Sequence, residues 1–343
     1  MLRFGTQISL DHPWGELGSV PGYAKQLEEW GYDCIWCPDE RFERSPYVVL
    51  TLAARATEQV KLGVSVTNPY TRHPLITGAA AATVNEASGG RAVLGLGAGA
   101  ASLFERQGIE RPSPPVASIR EAIEILRPFM GGERVSHEGR THSFTGANVD
   151  FESSPVPIYI AARGPRLLQL AGEMADGVII GSLTSEEGLR YALKNVRLGL
   201  ERSDRGSDEF DVVLWAYTAI SEDVEVAKDR VRRLVVSSMW SSRGIIDRLG
   251  LDEGEWGPLE EEMKAGFRKG LPPREVYASA AGKLSDGLIE AWSLAGDVES
   301  VARRVEGAKK AGVKQIAILA LGGSRSDRME TQRAFTEGVM GRV

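Results

Sequence analysis

Four short stretches of this 343-residue chain carry residue types that do chemistry. Asp39 and Glu40 follow an apolar run, Tyr32–Pro38, and set two carboxylates side by side. That is the residue type used to move a proton or to orient a polar group. Ser65-Val66-Thr67 ends a second apolar run and leads into Asn68-Pro69-Tyr70-Thr71-Arg72-His73-Pro74. Gly95-Leu96-Gly97-Ala98-Gly99 ends a third. Glycines at such a place let a planar ring approach the backbone closely, and they equally suit a tight turn without a ligand. They do not make a dinucleotide fingerprint, which opens a helix at once and meets an acid about 20 residues later at the end of the next strand. Here the chain runs on through Arg111-Pro112-Ser113-Pro114-Pro115, and Glu121 falls in a helical pattern.

The fourth stretch is Ala161-Ala162-Arg163-Gly164-Pro165-Arg166. Pro165 fits the first turn of a helix. The neighbouring amides then lie at the positive end of the helix dipole, with two arginines at hand, which describes an anion site as well as an ordinary helix start. Gly181 and Ser182, with Thr184, end the following apolar run and offer hydroxyls. Histidines add little: His137 and His142 flank a hairpin turn and are expected in solvent, His73 precedes Pro74, and His12 follows the first strand. No His, Cys and Asp cluster has metal-ligand spacing, so no metal is expected. No Gly-x-Ser-x-Gly elbow occurs. Cys34 and Cys37, the only cysteines, spell C-x-x-C. On a strand that odd offset puts them on opposite faces with Cα atoms ~10 Å apart, beyond the ~7 Å limit of a disulfide.

These residues sit where eight strands end. Apolar runs at Arg3–Ser9, Tyr32–Pro38, Lys61–Thr67, Arg91–Gly97, Pro157–Ala162, Asp176–Gly181, Phe210–Ile220 and Gln315–Ala320 alternate with amphipathic helical stretches. Val, Ile and Leu fill them, as in strands covered on both faces. Eight strand–helix units predict an α/β fold, a (β/α)8 TIM barrel, in which catalysis belongs at the C-terminal strand ends; an open doubly wound sheet is the second architecture. Ser118 with Glu121 is read as a capping box, and Gly31 and Gly312 as helix stops. A hairpin at 134–144 and a mostly helical stretch at 241–295 are insertions into a single 1–343 domain.

A net charge of -6 and a pI near 5.5 speak against nucleic acid as a partner. No run approaches the ~18 apolar residues of a membrane span. The N-terminus lacks a secretory cleavage site, so a cytoplasmic location is the expectation.

The strand ends resemble the bacterial luciferase-like monooxygenase family, in its coenzyme F420 (deazaflavin) branch, and within that branch methylenetetrahydromethanopterin reductases. The similarity runs nearly end to end. It is carried by Val66–Arg72, by Ser88-Gly89-Gly90-Arg91-Ala92-Val93-Leu94-Gly95-Leu96-Gly97, and by Ile158–Pro165 continuing to Ala171-Gly172-Glu173 and Ala175-Asp176-Gly177. The resemblance implies a luciferase-like TIM barrel, commonly dimeric, that is an F420-dependent reductase or dehydrogenase. It would move hydride between the deazaflavin C5 and a small organic substrate, a methylene-tetrahydropterin among the candidates. It implies a non-prolyl cis peptide at Ser65–Val66 that presses on the back of the ring, with Thr67 beside it. Asp39 matches the acid near the ring, and Gly97-Ala98-Gly99 the ring-lining turn. Ala161, Ala162, Arg163, Gly164 and Pro165, with Gly181 and Ser182, match the phosphate side.

Departures from that pattern are also legible. Glu40 stands where many F420 enzymes have His, and Gln7 and Ala100 stand where the reductases carry acids. Glu40, Glu43 or His12 is the expected replacement proton path. The alternative reading is an FMN-dependent luciferase-like monooxygenase. A barrel lyase acting on a phosphorylated substrate is a third, and a non-catalytic cofactor binder a fourth.

Overall fold

Each of the eight apolar runs is a strand in the computed structural model, which describes residues 1–8, 15–40, 42–99, 104, 108–109, 115–249 and 253–343. In chain order these are β1 (Arg3–Gln7), β2 (Cys34–Cys37), β3 (Lys61–Thr67) and β4 (Ala92–Gly97). A hairpin, β5 (Val135–Glu138) and β6 (Ser143–Ala147), comes before β7 (Ile158–Ala162), β8 (Gly177–Gly181) and β9 (Asp211–Ile220). A short extra strand, β10 (Ser293–Gly296), precedes β11 (Gln315–Ala320). The sheet order is β10-β9-β11-β1-β2-β3-β4-β7-β8, with β9 also paired to β8. Setting β10 aside, that is the strand order of a (β/α)8 TIM barrel, as expected. The described residues fall into two compact units.

The first unit, Arg3–Ile179 with Asn195–Val212, holds β1 to β7 and most of the chemistry-bearing residues. Its helices are α1 (Val20–Glu29), α2 (Pro46–Ala54), α3 (Pro74–Ala87), α4 (Pro115–Met130) and α5 (Pro165–Met174). Parallel registers align the strands: Gly5 opposite Cys34, Trp36 opposite Gly63, and Leu94 opposite Ile158. Trp36 is 1% exposed, and it fits because two neighbours lack side chains. A Cβ on Gly5 would come within 2.9 Å of the indole nitrogen, and one on Gly63 would overlap the ring itself. Near the strand starts, Arg3 pairs with Asp211, and the Tyr159 hydroxyl donates to Asp211 at 2.5 Å. This charge-assisted network satisfies polar groups that burial would otherwise penalise.

The two cysteines are free and buried on β2. Burial pushes both thiols well above their usual range, so neither is poised as a thiolate. Gly31 (φ 86°) ends α1, as the sequence predicts.

The second unit is Met1–Leu2, Ile180–Lys194 and Val213–Val343. Helix α6 (Glu186–Arg202) begins there. It also holds α7 (Val224–Ser241), α8 (Glu253–Arg268), α9 (Pro273–Ala281), α10 (Asp286–Trp292), α11 (Val298–Ala311) and α12 (Arg325–Gly338). The 241–295 stretch is mostly helical as expected, but it ends in β10, which pairs in parallel with Tyr217–Ile220 of β9. A four-residue strand is too short to show a period of its own. Gly312 (φ 107°) caps α11 in the left-handed conformation that only glycine adopts freely. Arg304 of α11 closes the end of α10 by donating to the carbonyls of Glu290 and Ser293 and, at 3.1 Å, to Thr184 Oγ1. Burial lowers this guanidinium to about 10.

One cap is not as expected. Helix α4 starts at Pro115, three residues before Ser118, and buries Ser118 inside the helix. Glu121 leaves the helix start alone and accepts instead from the amides of Thr141 (3.0 Å) and His142 (2.7 Å) in the β5–β6 hairpin. Unpaired hairpin amides outcompete a local cap, which offers only one.

Substituting Gly63→Ala drives a methyl group into the Trp36 ring, an overpacking that costs ~1–3 kcal/mol. Thermal denaturation is expected to show the melting temperature falling, whereas an unchanged melting curve would mean that Trp36 is not held as described.

Candidate active site

The C-terminal ends of β2, β3, β4 and β7 meet in one row within the first unit. Register fixes this: Cys37 lies opposite Val64, Thr67 opposite Leu96, and Gly97 opposite Ala161. Asp39, the β3 end, the glycine turn and the Ala161–Pro165 segment therefore belong to neighbouring strand ends, as the sequence predicts.

At the end of β3 the peptide between Ser65 and Val66 is cis, and the register with β4 slips between Val64 and Thr67. The slip carries the Val66 side chain toward β4. Space for it exists only because β4 has glycines there. A Cβ on Gly95 would lie 2.9 Å from Val66 Cγ1, and one on Gly97 2.6 Å from Val66 Cγ2. Real Cβ atoms do not tolerate such separations. Gly95 and Gly97 thus receive the bulge, a role the sequence reading left between ring approach and tight turn. Gly99 (φ 60°) makes the turn itself, and a Cβ there would overlap the Phe104 ring. Ser65 Oγ is buried and has no hydrogen-bond partner, which leaves a donor for something outside the protein.

Asp39 is half-buried at the end of β2 and is held from β3. Thr67 Oγ1 donates to Oδ2 at 2.6 Å, and Arg72 Nη1 donates to the same oxygen at 2.8 Å. Arg72 reaches it because the loop turns back on Asn68. Asn68 Oδ1 accepts from the amides of Tyr70 and Thr71, each at 3.0 Å, an Asx turn written directly in the sequence. Pro74 then starts α3, with His73 as its cap accepting from the Leu75 amide at 3.2 Å. The guanidinium of Arg72 lies over the Tyr47 ring, 5.2 Å from its centre. Burial raises the Tyr47 phenol to about 12, so it stays protonated at neutral pH. Arg72 as a partner of Asp39, and Tyr47 beneath Arg72, are not predicted by the sequence. Arg72 stands in the recognised string, but nothing in spacing reveals that a loop residue folds back on a strand end. Glu40 is exposed beside Asp39, while His12 and Ala100 lie outside the described residues.

At β7, Gly164 precedes α5 in extended conformation and Pro165 opens the helix. No side chain caps this end, and nothing lies within 4 Å of where a Gly164 Cβ would be. The first-turn amides thus have no side-chain cap, and half-buried Arg163 stands next in the chain, an arrangement suited to an anion. In the second unit, Ser182 ends β8 in the left-handed region (φ 57°), unusual for a residue with a side chain, and its amide donates to Trp215 O at 2.7 Å.

Two histidines contradict the reading of solvated hairpin residues. His137 Nε2 and His142 Nδ1 turn inward, each 3.5 Å from Glu121 Oε1. The amides that Glu121 accepts draw the hairpin inward and its imidazoles with it. Among the described residues no group of three His, Cys, Asp or Glu is placed to hold a metal ion.

A family profile described as luciferase-like monooxygenase matches residues 3–315. The chain belongs to that family. Luciferase-like relatives include the 5,10-methylenetetrahydromethanopterin reductase of Archaeoglobus fulgidus, 35% identical over 316 residues that make up 92% of each chain. The F420-dependent glucose-6-phosphate dehydrogenase of Kineococcus radiotolerans is 29% identical, covering 90% of this chain and 89% of its own. The solved coenzyme F420-dependent tetrahydromethanopterin reductase of Methanopyrus kandleri superposes with a TM-score of 0.82 at 29% identity over 99% of both chains. Family membership accounts for the barrel.

His73 is largely exposed, and partial burial of its ring, then the charge of His142 opposite, hold it below the ordinary imidazole range. A group whose folded pKa is depressed binds fewer protons when folded, so its contribution is present above the unfolded value and is lost as pH falls past it. Glu121 is raised by burial, but the hairpin amides outweigh that and hold it below the carboxylate range, so its own contribution fades only in stronger acid. Melting curves from pH 7.5 to 5.5 are expected to show stability declining below ~6.5, with a shallower decline in His73→Asn. An identical slope in that variant would remove His73 from the account.

Proposed function

We propose that the chain is a coenzyme F420-dependent oxidoreductase that passes hydride between the deazaflavin ring and a small organic substrate. The observation that carries the reading is the combination at one row of strand ends. A bulge at Ser65–Thr67 is locked into Gly95 and Gly97, a clamped carboxylate at Asp39 stands beside it, and an open uncapped helix start lies at Gly164. The residues fit the group: Ser65 Oγ is a buried hydroxyl without a partner, and Gly164 leaves open the space that a phosphate needs.

When bound, the deazaflavin supplies the hydride acceptor or donor itself, because such chemistry belongs to the cofactor. The protein's residues bind and aim. Ser65, Val66 and Thr67 would hold the ring from the β3 side, and Asp39 would offer it a polar partner. The Gly97-Ala98-Gly99 turn is proposed to line the ring on sequence resemblance. Ala161, Ala162, Arg163, Gly164 and Pro165 hold the phosphate, with α5 amides and a guanidinium opposing its charge. Gly181 and Ser182 are proposed as cofactor-binding residues on sequence resemblance. Glu40 is the proposed proton-handling group, an exposed carboxylate adjoining Asp39 that takes the place of the missing acids at Gln7 and Ala100. A methylene-tetrahydropterin is the substrate class that the reductase relatives favour.

A homodimer is proposed as well. Helices α2 and α3 each expose a large apolar side chain, Val48 (50%) and Ile76 (61%), which a second copy would cover. No helix among the described residues is long and apolar enough to cross a membrane. The acidic chain is proposed to work in the cytoplasm.

Titration of the purified protein with F420 is expected to give saturable 1:1 binding, and reduced F420 is expected to be oxidised by a methylene-tetrahydropterin. Tight binding of FMN with no uptake of F420 would instead support the monooxygenase reading. Arg163→Ala is expected to weaken F420 binding tenfold or more and to leave binding of a phosphate-free deazaflavin within about twofold. Ile76→Glu is expected to shift the protein to monomer in light scattering at micromolar concentration; an unchanged mass would place the dimer face elsewhere.

A further inference from the structure

We infer that Arg72 is a positioning residue for the deazaflavin site, acting through Asp39; the inference rests on the function proposed above and adds to it a residue with no assigned role. Asp39 stands just past the end of β2, where its carboxylate would turn freely about two side-chain torsions if nothing held it. Two donors remove that freedom. Thr67 and Arg72 both donate to Oδ2, at 2.6 and 2.8 Å, while the second guanidinium nitrogen lies at 3.5 Å from Oδ1. One oxygen therefore takes two short bonds, and the other takes a single long one from the same guanidinium. The carboxylate is presented in one orientation, gripped through both of its oxygens.

Arg72 is itself held from three sides. Beneath it lies the Tyr47 ring, 5.2 Å from the guanidinium carbon, a cation–π contact that needs no solvent. Behind it the Asx turn at Asn68 fixes the backbone, with Oδ1 accepting the Tyr70 and Thr71 amides and, at 3.2 Å, the Thr71 hydroxyl. After it Pro74 begins α3. The side chains of Arg72 and Asp39 are only 28% and 12% exposed, so the pair is shielded well beyond a surface ion pair. Thr67, which shares the carboxylate oxygen, is the last residue of the bulged strand. Arg72 therefore joins three features into one body: the end of β2, the bulge of β3 and the start of α3. A misplacement of about 1 Å at a group that aims a reacting ring costs on the order of 100-fold, which is the reason to build such a brace.

The test is a double-substitution cycle of Arg72→Gln and Asp39→Asn, with Arg72→Lys as the conservative variant. F420 affinity is read by quenching of its fluorescence, and melting temperature is read in parallel. All binding is measured well below the lowest melting point. Arg72→Gln is expected to weaken F420 binding tenfold or more, and Arg72→Lys to recover part of the loss by keeping one charged donor. Arg72→Gln combined with Asp39→Asn is expected to bind within about twofold of the weaker single variant, because both changes remove the same contact. F420 affinity within twofold of the unaltered protein in Arg72→Gln overturns the inference. So do losses that multiply in the double variant, or a lowered melting point with affinity intact. An unaltered protein that takes up no F420 refutes the proposed function and this inference together, whereas binding that ignores Arg72 refutes the inference alone.

Discussion

The fit of Val66 into the two missing side chains of Gly95 and Gly97 is the contact on which the site depends. A bulge at the end of β3 has nowhere to go in a parallel sheet whose next strand carries ordinary residues. Two glycines at alternate positions on β4 create a slot on one face of the sheet, since residues two apart share a face. The slot receives the valine, and Thr67 is thereby placed to meet Asp39. Each later feature inherits its position from this one, including the clamp of Arg72 and the glycine turn beyond Gly97.

The same logic of omission recurs through the first unit. Trp36 is buried because Gly5 and Gly63 leave space for an indole, and Val66 is seated because Gly95 and Gly97 do the same. Polar anchors sit at both ends of the strands. Arg3, Tyr159 and Asp211 form a network near the strand starts, while the strand ends beside Asp39 keep the buried Ser65 hydroxyl in reserve. Satisfied polar groups stabilise a fold, and unsatisfied ones mark where a ligand completes it.

Much of this was legible in the residues. The eight strands and the helices between them follow from apolar runs that alternate with amphipathic stretches, because burial on both faces leaves such a signature. Glycine stops at Gly31 and Gly312 were readable because a left-handed residue has few alternatives. What escaped was long-range. Glu121 looked like a local cap and became the anchor of a hairpin, pulling His137 and His142 inward. Ser293–Gly296 was too short to announce itself as a strand. Arg72 and Tyr47 gave no hint of Asp39, since no periodicity records which loop residue folds back over a strand end. The glycine run was visible, but its occupant was not; an apolar side chain five positions beyond Lys61 can be named from sequence, whereas its crossing to the next strand cannot.

The most direct test of the central claim is a crystal structure of the protein with F420 bound. The account predicts deazaflavin density against the Ser65–Thr67 bulge with Asp39 at its edge and the phosphate on the amides that follow Gly164. Density for the ring anywhere else, or a phosphate that avoids the start of α5, contradicts it.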